Sequence, residues 1–120
     1  MKLLIAGSRS IKEFDLSPYI PEDTKLIITG GANGIDALAE EYADKHHLSK
    51  LVMRPEYKLY RKSAPLKRNS QMIEIADKVL IVWDGVSRGT KYTIDYAQKS
   101  NKEIKLVVVG NKLQFNHSFD

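Results

Sequence analysis

Five short, largely apolar runs alternate with stretches of helical periodicity along this chain, and no hairpin signal falls between them. The runs are Lys2–Ala6, Lys25–Thr29, Lys50–Met53, Lys78–Trp83 and Lys105–Val109. Strand-length runs with so little polar alternation are buried on both faces. Joined by helices, they form a parallel sheet covered on both sides. The predicted class is α/β, a doubly wound three-layer αβα sandwich around a five-stranded parallel sheet in the order 3-2-1-4-5, with right-handed crossovers. The chain of 120 residues makes one domain over 1–110, followed by a polar tail at 111–120 that is expected to fray or to touch another copy.

The helical stretches carry their own stripes. Ile35, Leu38, Ala39, Tyr42 and Ala43 recur at helical spacing between about Gly34 and His47. Pro65 opens a second helix, whose buried stripe is Met72, Ile73 and Ala76. Thr93, Ile94, Tyr96 and Ala97 give a third, stopping around Ser100-Asn101. Ile11–Tyr19 reads as a weak helix or an irregular crossover, broken by Pro18 and Pro21.

Composition removes some chemistries. With no cysteine there are neither disulfides nor thiolate metal sites, and no metal or cofactor is expected. His46 and His47 are adjacent near a helix end, and His117 sits in the polar tail. Met1–Ala6 is only a strand's length and ends in Gly7-Ser8-Arg9-Ser10, so it reads as a first strand, not a signal peptide. No apolar stretch approaches membrane-spanning length, so the expectation is a soluble, cytoplasmic protein without membrane contact. Seven of the 19 basic residues but only Glu56 of the 15 acidic ones lie between Lys50 and Ser70, leaving 12 against 14 elsewhere. Such a local focus suits one anionic ligand better than a long polyanion, and makes nucleic acid a lesser candidate partner.

The second strand breaks into Gly30-Gly31-Ala32-Asn33-Gly34-Ile35-Asp36. Glycines let backbone pass close to a ligand, and the helix start that follows offers free N–H groups to a phosphate. The same glycines also make a tight strand-to-helix turn with no ligand at all. Asp36 either stabilises the helix start, accepts from a ribose hydroxyl, or braces the turn. Gly7, Ser8 and Arg9 follow the first strand, where the carboxyl ends of parallel strands face a ligand crevice; Arg9 is a site cation or a surface ion-pair partner. The fourth strand ends in a second glycine turn, with Asp84, Ser87, Gly89 and Thr90, entering a helix. Arg68 and Asn69 point from their helix toward the same rim. Tyr57 and Trp83 are candidates to stack on a base, although loop tyrosines also pack their own loop down.

Gly7-Ser8-Arg9, Thr29 to Asp36, the Arg68-Asn69-Ser70-Gln71-Met72 run and the Gly89-Thr90 turn together resemble the SLOG superfamily. That group includes DNA-processing DprA proteins, LOG phosphoribohydrolases and the small YspA-like (YAcAr) proteins, and the Tyr57 to Met72 stretch is most similar to the YspA-like branch. The resemblance spans about residues 2–109. It implies a Rossmann-like fold that binds nucleotides or nucleotide-derived ligands, with phosphate on the glycine turns, serving in several members as a sensor in bacterial conflict systems. One departure matters. Where LOG hydrolases carry acidic residues after the second turn, this chain has Tyr92 and Thr93, so Arg68 lacks the matching acid.

N-glycosidic cleavage needs a carboxylate, for which Asp84 and Asp95 are the nearest substitutes. Catalytic candidates are therefore Arg68, Asp84 and Asp95. Binding of a nucleotide-derived small molecule ranks ahead of LOG-like phosphoribohydrolysis, and DprA-like single-stranded DNA binding ranks third. A homo-oligomer that completes the site is a further expectation.

Overall fold

The computed structural model describes residues 1–110 and, as backbone, the strand 114–119. Its sheet holds β1 (Lys2–Gly7), β2 (Leu26–Thr29), β3 (Ser49–Val52), β4 (Lys78–Trp83), β5 (Glu103–Val109) and β6 (Gln114–Phe119). The helices are α1 (Ile35–Lys45), α2 (Tyr57–Tyr60), α3 (Ala64–Ile75) and α4 (Arg88–Lys99). Strands run in the order β3-β2-β1-β4-β5-β6. The first five are parallel in the predicted order 3-2-1-4-5, with helices on both faces, which is a Rossmann-like sandwich.

β6 goes beyond the sequence expectation. It pairs antiparallel with β5, from Val109 opposite Gln114 to Ile104 opposite Phe119, within the stretch read as a polar tail.

Alternation along each strand divides the core. Leu3, Ile5, Ile27, Leu80 and Val82 face α1, where Ile35, Ala39 and Ala43 meet them. Leu4, Ala6, Ile28, Val79 and Ile81 face α3 and α4, against Met72, Ile73, Ala76, Ile94 and Ala97. These side chains are buried, and each large one stabilises the fold by about 1.5–3 kcal/mol. The segment between β1 and β2 is irregular apart from a 3-10 turn at Ser17–Tyr19. Buried Ile11 and Leu16 plug it onto the α1 face, doing the covering that a crossover helix would otherwise do. Helix ends are set by residues in left-handed backbone, His47 after α1 and Asn101 after α4. Among the described residues no helix is long and apolar enough to cross a membrane.

Candidate functional site

In the doubly wound order β1 and β4 are neighbours whose connections leave in opposite directions, which opens a crevice at their carboxyl ends. Ser8 joins the two. Its N–H donates to the Val82 carbonyl (3.0 Å), its hydroxyl accepts the Asp84 N–H (3.0 Å), and it meets the Thr90 hydroxyl at 3.4 Å. The first and fourth strand ends face each other as the sequence predicts. Ser8 itself is buried beneath the crevice as a structural tie.

Gly34 (φ 74°) lets the turn after β2 press against this joint. A Cβ there would stand 2.5 Å from the Ser8 carbonyl and 2.6 Å from that of Arg9. Gly31 also has positive φ, and the Arg54 guanidinium donates to its carbonyl at 3.0 Å.

The Gly30 turn is braced by its own helix. Asp36 is buried, and its Oδ2 accepts the Ala32 N–H at 3.1 Å. Burial raises its carboxyl above the ordinary range. The Ala32 N–H, the Arg68 charge, the Thr29 hydroxyl and the Gly30 N–H oppose that rise. Of the readings open for Asp36, the geometry matches the brace.

Arg68 is buried and charged. Its guanidinium donates to the Gly30 carbonyl, to Met53 O at 3.2 Å and, through Nε, to Asn69 Oδ1 at 2.7 Å. Asn69 continues to the Thr93 hydroxyl (3.0 Å), which reaches Gly89 O (3.1 Å). This relay ties the ends of β2 and β3, through α3, to the first turn of α4.

The second turn is braced in the same manner. Asp84 Oδ1 accepts the N–H groups of Val86 (3.0 Å) and Ser87 (2.8 Å), and Oδ2 accepts the Ser10 hydroxyl (2.8 Å). Burial pushes Asp84 upward, but the Val86 and Ser87 N–H groups and the Ser10 and Ser8 hydroxyls outweigh it and hold the carboxyl below its ordinary value. Ser87 caps α4 by accepting the Thr90 N–H.

Above these braces lie two cavities that share lining residues. One, of about 390 Å³, is lined by Gly7, Arg9, Ala32, Asp36, Arg68, Asn69, Asp84, Ser87, Gly89 and Thr90 from the predicted set. The other, of about 260 Å³, has Gly30, Gly31, Asn33 and Tyr57, and again Arg9, Ala32 and Arg68. Arg9 is exposed and, among the described residues, has no hydrogen-bond or ion-pair partner.

Four predicted residues line neither cavity: Ser8 and Gly34 form the joint beneath, and Trp83 and Asp95 lie further away. Trp83 packs against the α3–α4 core and donates its indole N–H to Ser87 O (3.0 Å), so it supports the turn from behind. Asp95 pairs with Lys91 at 2.7 Å.

Sequence reasoning passed over Ser10, Leu66, Met72 and Thr93, which also line the larger cavity. Met72 and Thr93 read as core stripe. Leu66 left a signal, an apolar residue in the first turn of its helix, seven residues before Ile73 and so at the edge of the same stripe. Among the described residues, no cluster of three or more His, Asp or Glu could hold a metal ion.

Fold and crevice define a Rossmann-like α/β protein with a basic-edged cleft at its strand ends. No family model, curated protein or solved structure matches the chain.

Proposed function

We propose that this protein binds a nucleotide or nucleotide-derived ligand in the crevice, as a sensor or sequestering module, and that it belongs with the SLOG proteins its four motifs resemble. The observation that carries the reading is Arg9, a guanidinium that lines both cavities and has no partner among the described residues. Opposite it, Gly89 in the first turn of α4 has open space where a Cβ would stand, so a phosphate can approach the helix backbone closely. Arg9 and the backbone N–H groups of Arg88 and Gly89, the two in this turn with no acceptor among the described residues, would hold the phosphate. The Gly30 turn, whose N–H groups are directed at Asp36, would serve as a wall.

Binding is favoured over N-glycosidic hydrolysis because each candidate acid is engaged. Asp84 braces its turn, and Asp95 is paired with Lys91. Single-stranded DNA is less favoured for a related reason. Of the seven basic residues in the Lys50 to Ser70 focus, Lys50 pairs with Glu40 and Asp44, and Arg54 and Arg68 bind backbone carbonyls. Lys67 sits over the Tyr60 ring at 5.7 Å.

Thermal denaturation with AMP, ADP, ADP-ribose and cyclic dinucleotides tests the reading. At a hundredfold excess over Kd a bound ligand adds about 2.7 kcal/mol and raises the midpoint by several degrees. No shift with any of them overturns it.

A further inference from the structure

The two cavities meet at a waist. Arg9, Ala32 and Arg68 line both; one chamber continues past Leu66 and Met72, and the other past Pro55 and Tyr57. The waist brings two guanidinium groups together. Burial pushes Arg68 below its ordinary value, Asp36 draws it back up, and the nearness of Arg9 pushes it down again. Asp36 gives the pair little relief, because its own burial disfavours the ionised form and its Oδ2 already accepts the Ala32 N–H. Two cations therefore face one reluctant carboxylate, and an anion at the waist would gain charge-assisted hydrogen bonds in a partly desolvated place.

The chamber sizes set the shape of what surrounds that anion. Pockets for drug-sized molecules run from roughly 300 to 1,000 Å³. The larger chamber, at about 390 Å³, lies near the low end of that range and the smaller, at about 260 Å³, below it, so each has room for one nucleoside-sized group at most and a larger ligand would divide between them. Their walls differ in a way that fits this division. The larger is partly apolar and bordered on one side by the relay from Arg68 to Gly89. The smaller has Tyr57 at its edge, 56% exposed and without a ring partner among the described residues, which is a free stacking face.

Resting on the nucleotide reading above, we propose that the ligand is two-lobed, with two nucleoside-sized groups joined by a diphosphate. The diphosphate spans Arg9, one phosphate on the first turn of α4 and the other toward Arg68 at the waist, with one lobe in the larger chamber and the other stacked on Tyr57. A mononucleotide would fill one chamber and leave the Tyr57 side empty.

Calorimetric titration of the full chain with AMP, ADP and diadenosine diphosphate, and with the guanine counterparts in parallel, separates the contributions. ADP supplies the diphosphate without the second lobe. The two-lobed compound in at least one base series should bind about tenfold or more tightly than its diphosphate, the gain expected of one stacked base. Tyr57→Ala should remove most of that gain, a larger loss for the two-lobed compound than for ADP. Equal affinity of one-lobed and two-lobed compounds, or a Tyr57→Ala loss as large for ADP as for the two-lobed compound, overturns the inference while the nucleotide reading stands. Failure of all the compounds to bind overturns both.

Discussion

Arg68 fills the space in which Gly30 would carry a side chain. A Cβ on Gly30 would stand 2.7 Å from the Arg68 Cζ and 2.9 Å from Asp36 Oδ2, and the Gly30 carbonyl accepts from the Arg68 guanidinium. The first glycine of this turn thus makes room for an arginine of the chain itself, in a turn whose neighbouring glycines relieve positive φ. Gly30→Ala should cost about 1–3 kcal/mol through overpacking, read as a lower urea midpoint. An unchanged midpoint would mean that Arg68 gives way freely.

Gly89 offers the opposite case. Among the described residues, and apart from its chain neighbours and its own helix backbone, no heavy atom lies within 4 Å of the place where its Cβ would be, and it sits in the first turn of α4. Gly89→Ala should leave stability unchanged or raise it by up to about 1 kcal/mol, because alanine is the better helix former. The added methyl should nonetheless weaken nucleotide binding by blocking approach to the helix backbone. Thermal midpoints with and without ADP separate the two effects.

Removing Arg68 exposes what it supports. Arg68→Ala strands the Gly30 and Met53 carbonyls and leaves Asp36 without its nearest positive charge. The expected loss is about 3 kcal/mol or more. Arg68→Met, which keeps much of the volume, should recover only the packing part. Urea unfolding of both variants checks this, and near-equal stability of wild type and Arg68→Met would show that the hydrogen bonds contribute little.

Asp84 predicts a pH dependence. Burial alone would raise its carboxyl, but the Val86 and Ser87 N–H groups and the Ser10 and Ser8 hydroxyls hold it below the ordinary range in the folded state. A carboxyl depressed by folding contributes stability that is present above its unfolded value, about 3.9, and is lost as pH falls through the lower folded value. The wild-type midpoint should therefore fall more steeply than that of Asp84→Asn as pH drops from about 5 to 3, and the gap between them should close. Parallel curves would remove the proposed contribution.

Much of this architecture is legible because burial on both faces leaves a plain mark. Lys78–Trp83 and Lys105–Val109 read as central strands, and their order follows from helices lying between them. β6 escaped because Gln114–Phe119 is polar in most positions; its only hint is the spacing of Phe115 and Phe119. Site residues at strand ends were legible for a related reason, since topology alone brings Arg9 and the Asp84–Thr90 turn together. Partnerships were not. That Arg68 would meet Gly30, 38 residues away, and that Trp83 would turn its indole N–H to Ser87, depend on helix placement that no local pattern encodes.

Whether the crevice binds a nucleotide through Arg9 is decided by calorimetric titration of ADP into wild type and Arg9→Ala. Arg9 is exposed and without a partner among the described residues, so the variant should unfold at the wild-type midpoint when no ligand is present. Phosphate binding by Arg9 gives saturable binding by wild type and an affinity about tenfold or more lower in Arg9→Ala, the worth of one charge-assisted hydrogen bond. Equal affinity in the two proteins, or no binding by wild type, would contradict it.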